Sequence, residues 1–212
     1  MPRLRRLLAA CALAAASTVV AGHSAVAGQQ FDGIDPVAVP LDQEPHHRVV
    51  FANEYVRIID AVFPPLAVSQ YHSHQYDNIA VTIRPGREDA QGQSRIGFAA
   101  FSRGGYSHVV TNPNTVPMRF IDVELLAPPP YTDRGEGLDD HELTLSTPRA
   151  NVYRVRLAPG QRMAEHRHGA AYVSIVVRGP DAGTWRWHDA DEASAPLVAG
   201  KQTLEIVEVE PR

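Results

Sequence analysis

The chain has 212 residues, 44% of them hydrophobic, which is room for one large or two small domains. Its 20 basic and 24 acidic residues form no basic run or patch, which argues against nucleic acid as a partner. With 17 prolines, 15 glycines and no long amphipathic helical pattern, the composition favours short strands and many turns over helices.

Residues 1–27 read as a secretion signal. Arg3, Arg5 and Arg6 make a positive start, Leu7 to Ala21 is apolar, and Ala25-Val26-Ala27 fits a small-residue cleavage site. The expectation is a periplasmic or secreted protein with no membrane contact after removal of the signal. One alternative is lipoprotein processing at Leu8-Ala9-Ala10-Cys11; another is a membrane anchor, against which the short run broken by Ser17, Thr18 and His23 argues. Cleavage after Ala27 leaves no cysteine, which excludes a disulfide or a thiolate nucleophile, and leaves 17 basic against 24 acidic residues, a net of −7.

Residues 28–47 carry Pro36, Pro40 and Pro45 and read as an extended arm, able to wrap the domain or to pair with a neighbouring subunit. Over 48–127 the pattern is a series of strands. Val49-Val50-Phe51 is followed by a turn, then Tyr55 to Phe63, stopped by Pro64-Pro65. Gln70 to Ile83 follows, then a polar loop from Arg84 to Ser94, Ile96 to Ser102, the turn Arg103-Gly104-Gly105, a strand start at His108, and Arg119 to Leu126. Residues 128–149, with Pro128-Pro129-Pro130 and a Gly- and acid-rich stretch, read as a linker, after which 150–212 repeats the strand pattern.

The repeat is arithmetical. His72-Ser73-His74 lies 94 residues before His166-Arg167-His168, and the same step carries Ile79–Ile83 onto Val173–Val177. Farther along the step is 86, matching Gly97 with Gly183 and Asp122-Val123-Glu124 with Glu208-Val209-Glu210. The eight-residue change falls in one connection, long from Arg84 to Gly97 and short from Arg178 to Gly183. Two copies of one module follow.

In the first copy, His72 and His74 share a strand face, because side chains two residues apart point the same way. Paired imidazoles in one pocket begin a metal site, and His108 follows the glycine turn Gly104-Gly105. Asn78 holds the same-face position four residues after His74; Asp77 is its competitor, and water the remaining choice for a fourth ligand. In the second copy Ser194 stands where His108 does and Tyr172 where Asn78 does. His166 and His168 then lack a third imidazole, although Glu165 or His188 could assist in some geometry, and the second cup reads as degenerate. Tyr71, Tyr76 and Tyr106 flank the first histidine set, Trp185 and Trp187 alternate to face one wall, and the recurrence of Glu124 as Glu210 suggests a structural role. His46-His47 sits in the arm, and neighbours on an extended chain point apart, a poor pattern for a shared metal.

Pro65, His-x-His, an apolar strand, a glycine turn and a third histidine resemble the cupin superfamily, and their duplication resembles a bicupin. The resemblance spans about 48–126 and 150–210. It implies an all-β chain of two tandem jelly-roll barrels, joined face to side through the linker. It also implies a divalent metal (Fe, Mn, Zn, Ni or Cu) at His72, His74 and His108, and dimerisation, with the arm as the exchanged element. The implied function is a metal-dependent enzyme of dioxygenase type acting on a small organic molecule. A metal-dependent isomerase or lyase and a non-catalytic small-ligand-binding protein are the alternatives. For proton handling a tyrosine near the histidines or Asp77 is the expected group.

Overall fold

The computed structural model describes residues 30–83, 99–132 and 138–212; the signal reading, Cys11 and the loop from Arg84 to Ser94 lie outside them. The described chain is built of strands. In order they are β1 (Gln30–Asp32), β2 (Val39–Pro40), β3 (His47–Ala52), β4 (Val56–Phe63), β5 (His72–His74), β6 (Asp77–Ile83), β7 (Ala99–Ser102), β8 (Tyr106–His108) and β9 (Met118–Leu125). The second module continues with β10 (Glu142–Ser146), β11 (Ala150–Leu157), β12 (Arg162–Met163), β13 (Tyr172–Arg178), β14 (Trp185–His188), β15 (Leu197–Val198) and β16 (Leu204–Pro211).

Each module holds a large sheet facing a smaller one. The first pairs β3-β4-β9-β6-β7 with β1-β8-β5-β2, and the second pairs β10-β11-β16-β13-β14 with β12-β15. The duplication extends to register. In β6–β9, Ala80 sits opposite Asp122, and in β13–β16, Ser174 sits opposite Glu208. A bulge between Val49 and Phe51 in β3 recurs between Leu143 and Leu145 in β10.

Three sequence expectations change. The stretch from Gln70 to Ile83 is two strands in different sheets, because the chain turns a corner at Gln75-Tyr76. Residues of the arm are strands: β1 pairs with β8, and β2 runs parallel to β5. The segment read as linker contains β10, whose Leu145 packs on the main core; its Pro- and acid-rich flanks masked a short alternating strand.

The large sheets pack face to face rather than face to side. Strict alternation sends Ile79, Val81 and Ile83 of β6, with Ile121, Val123 and Leu125 of β9, to the outer face. There they meet Val173, Ile175 and Val177 of β13 and Val207 and Val209 of β16 in one buried cluster. Trp187 stacks on Phe51 and Tyr55 across this junction, so the tryptophan pair serves the contact between modules. The opposite residues of the same strands, Asn78, Asp122 and Glu124 in one module and Tyr172, Glu208 and Glu210 in the other, are buried polar groups inside the barrels. A sheet with an apolar outer face and a polar inner face leaves the interior for chemistry.

Candidate metal centres

In the first barrel the small sheet supplies three histidines. The β5–β8 register sets His72 opposite His108 and His74 opposite Tyr106. His108 Nε2 comes within 3.3 Å of His74 Nε2, and the His72 and His108 ring centres are 4.6 Å apart. The fourth imidazole is His47, at the first position of β3 in the facing sheet. His47, His72 and His74 are buried, and one ring nitrogen of each lies within 4.8 Å of the others. The converging set is thus two of the expected residues, His72 and His74, with His47, which the sequence reading had set aside; His108 lies against His72 and His74 but outside that set.

The outer nitrogens are tied down. His47 Nδ1 is 2.7 Å from a Glu44 carboxylate oxygen, and His72 Nδ1 donates to the Gln70 carbonyl at 2.9 Å. His74 Nδ1 lies 3.3 Å from the Asn78 amide and 3.8 Å from Glu124, whose other oxygen accepts from Arg57 Nε at 2.5 Å. Such outer partners fix ring orientation and leave the inner nitrogen free for a metal. His72 Nε2 is buried with no hydrogen-bond partner, an orphan lone pair that an ion would satisfy.

Electrostatics agree with this use. Burial, reinforced by the neighbouring histidines, lowers His108 to about 2. Burial also lowers His47 to about 4, although Glu44 pulls the other way. Both rings therefore stay neutral at physiological pH, the state that binds metal. Burial opposes ionisation of Glu44, but its bonds to His46 and His47 prevail and hold it near 2. Burial lifts the Asp122 carboxyl to about 7. Burial and the Asp122 charge together keep the Tyr106 phenol protonated.

Two expected participants have other work. Asp77 accepts the Gly104 N–H at 2.6 Å and pins the turn that precedes β8. Asn78 lies beside the outer nitrogen of His74 at 3.3 Å and donates to the Tyr106 hydroxyl at 3.3 Å.

The second barrel is better furnished than its sequence suggested. His141, His166, His168 and Glu208 each bring a ligand atom within 4.8 Å of the rest. Glu208 carboxylate oxygens lie 3.0 Å from His141 Nε2, 3.0 Å from His168 Nε2 and 3.6 Å from His166 Nε2. Glu210 holds His168 Nδ1 at 3.1 Å, as Glu124 flanks His74. Burial disfavours a charged His168, but its hydrogen bonds to Glu208 and Glu210 outweigh that and raise it to about 9. Neither Glu165, which is exposed and paired with Arg167, nor His188, which bonds Ser174, belongs to the cluster.

The sequence held a signal for the missed residues. His47 and His141 are separated by the same 94 residues as the two His-x-His pairs, and Asp122 and Glu208 by the same 86 as the final strands. The repeat therefore reaches back to the first strand of each large sheet, before the His-x-His pairs from which the 94-residue step was counted.

No protein-family model and no curated protein matches the sequence. Among solved structures, the salicylate 1,2-dioxygenase of Pseudaminobacter salicylatoxidans aligns over 92% of this chain and 86% of its own, with 11% identity and a TM-score of 0.51. A cupin domain from Bordetella pertussis Tohama I aligns over 38% of this chain and 92% of its own, with 27% identity and a TM-score of 0.33. A cupin 2 conserved barrel domain protein from Leptotrichia buccalis covers 78% of this chain and 88% of its own, with 7% identity and a TM-score of 0.41. Paired sheets around inward-facing His-x-His motifs, twice in one chain, give this protein the fold of the cupin superfamily in its two-barrel form.

Proposed function

We propose that the first barrel is the reactive centre of a metal-dependent oxidoreductase acting on a small organic molecule, with His47, His72, His74 and His108 as the metal-holding set. The observation that carries this reading is the buried, unpartnered His72 Nε2, which converges with His47 and His74, three rings whose outer nitrogens are already engaged. A bound divalent transition ion would supply Lewis acidity or one-electron chemistry to a substrate oxygen.

The chain's own groups set what can bind. Imidazole donors leave a divalent charge to be offset from outside the set, and the two carboxylates beside them are already engaged, Glu44 by His46 and His47 and Glu124 by Arg57. An anionic ligand such as a carboxylate or phenolate restores balance, which favours acidic aromatic or keto-acid substrates. Tyr106, stacked on His74 at 4.7 Å and held protonated, is a hydrogen-bond donor at this wall. Asp122, lifted by burial to about 7, can accept or release a proton near neutrality. That the structurally similar dioxygenase is named for salicylate makes phenolic acids the first compounds to assay.

The test is elemental analysis of the purified chain, followed by oxygen uptake with phenolic and keto acids. Metal and uptake should both be lost in His72→Ala and His108→Ala. Full activity in the metal-stripped protein would sink the reading. We further propose that the mature protein begins at Gly28 outside the cytoplasm; amino-terminal sequencing of the exported fraction would show a different start if this is wrong.

A further inference from the structure

We propose that a cavity at the Glu210 end of the second barrel binds a small organic cation, an alkylguanidinium or alkylammonium ion, through the Glu210 carboxylate. The reading does not depend on the metal centre of the first barrel, which shares no residue with this site.

The duplication supplies the argument, because the same place is filled by side chains in one copy and cut back in the other. In the first barrel Arg57 of β4 sits opposite Glu124 of β9, and its Nε donates to that carboxylate at 2.5 Å. The guanidinium carbon lies 5.6 Å from the centre of the Tyr76 ring, so a cation, a carboxylate and an aromatic ring meet there. The 94-residue step carries Arg57 onto Asn151 and Gln75-Tyr76 onto Gly169-Ala170, and the 86-residue step carries Glu124 onto Glu210. Strand register agrees, since Asn151 sits opposite Glu210. The carboxylate is kept, while arginine, glutamine and tyrosine give way to asparagine, glycine and alanine.

The smaller residues border a cavity of about 480 Å3, a size suited to small organic ligands. Asn151, Gly169, Ala170 and Glu210 all line it, so its walls include the counterparts of the residues that meet in the first barrel. Tyr131 and Tyr153 add aromatic rings. The segment after β9 is pinned beside it: Tyr131 bridges to Ala170, the Thr132 N–H donates to the Gly169 carbonyl at 2.6 Å, and the Thr132 hydroxyl donates to Asp191 at 2.8 Å.

Charge sets the ligand class. The Glu210 side chain is only 9% exposed; its Oε2 lies 3.1 Å from His168 Nδ1, and its Oε1 makes no hydrogen bond among the described residues. Where Glu124 has a guanidinium, Glu210 faces an amide whose oxygen already accepts from Ser146 and from Arg212 Nη1 at 3.2 Å. Arg212 borders the cavity, but it is exposed and directed to Asn151. A largely buried carboxylate oxygen beside aromatic rings is best satisfied by a charged hydrogen-bond donor, the role that Arg57 and Tyr76 show for its twin.

The experiment is calorimetric titration of the full chain with n-butylguanidinium and with n-butylammonium, using neutral butyramide and anionic butyrate for comparison. At least one cation should bind at one equivalent per chain, and butyramide should bind more weakly than that cation. Glu210→Gln should weaken cation binding by about 10–100-fold. Asn151→Arg, which restores the pairing of the first barrel, should abolish it and raise the melting temperature. If Glu210→Gln fails to fold, Asn151→Arg still decides, because it leaves the carboxylate in place. No binding of either cation, equal affinity for butyramide, or wild-type affinity in either folded variant would overturn the proposal. Butyrate binding that disappears in Arg212→Ala would assign the cavity to an anion and overturn it as well.

Discussion

At the scale of single residues, each histidine's role is set by what touches its outer nitrogen. Glu44, only 1% exposed, clamps both His46 and His47 and also accepts the Gln70 N–H at 3.2 Å. One carboxylate thus orders the strand that donates His47 and the segment that leads into His72. His188 illustrates the opposite case, an imidazole kept out of a metal cluster. Its Nε2 meets Ser174 at 2.9 Å, and burial, only partly offset by Glu192, lowers its pKa from 6.5 to about 4. The unfolded chain therefore binds a proton that the folded chain does not between those two values. Stability is complete above pH 6.5 and falls as pH drops toward 4, by up to about 1.4 kcal/mol per pH unit for this group. His188→Phe, which keeps the stack on Tyr172, should flatten that part of the acid limb in urea titrations. An acid limb of unchanged slope would show that other groups govern it.

At the scale of elements, the corner at Gln75-Tyr76 organises the first site. It moves the chain from the small sheet to the large one, so that His74 and Asn78 meet across a bend instead of along one strand. The turn of Gly104 and Gly105 packs into this corner. A Cβ on Gly104 would lie 2.5 Å from the Tyr76 carbonyl carbon and 2.7 Å from the Asp77 nitrogen, while Gly105 adopts φ +78 and donates to the His74 carbonyl at 3.1 Å. Only a residue without a side chain fits the first position, because the neighbouring atoms are backbone. Gly104→Ala should cost about 1–3 kcal/mol through this overlap and should weaken metal binding in the first barrel by displacing β8 and its His108. Thermal denaturation and zinc titration measure the two effects; wild-type values in both would mean that the corner tolerates the methyl group.

At the scale of the whole molecule, the two barrels share their main core. Val56, Ile58, Ile79 and Ile121 of one module are buried in the same cluster as Val152, Val173, Val207 and Val209 of the other. Arg119 bridges the modules, donating to Asp60 at 2.8 Å and to the Gly183 carbonyl at 3.1 Å. Neither large sheet could expose that apolar face alone without a severe solvation cost. Unfolding should therefore be a single transition for both barrels, and Ile79→Ala should lower stability by about 2–5 kcal/mol while destabilising the second barrel as much as the first. Calorimetry checks this through agreement of the measured and van't Hoff enthalpies. Two resolved transitions would contradict the shared core.

Much of this was legible in one dimension. Alternation of apolar residues marked the strands, and the 94- and 86-residue steps marked the duplication with its His-x-His pairs, because strand pattern and spacing are properties of the linear chain. His72 and His74 could be named for the same reason, and His108 through the resemblance to the cupin motif. The remaining donors could not be selected by local pattern. His47 and His141 lie upstream of their partners and come beside them only when the first strand of each large sheet pairs with the next. Glu208 becomes a candidate ligand, while the shorter Asp122 at the same register remains a buried acid near neutrality, a distinction that depends on distance inside the barrel. Asp77 was excluded by a turn that offered its carboxylate a backbone N–H. The sequence by itself therefore determined an all-β duplication carrying two histidine pairs. Which residues complete each cluster was decided by the packing of strands distant in the chain, since coordination requires convergence in space, while sequence spacing reports strand neighbours and repeat partners without saying which of them meet.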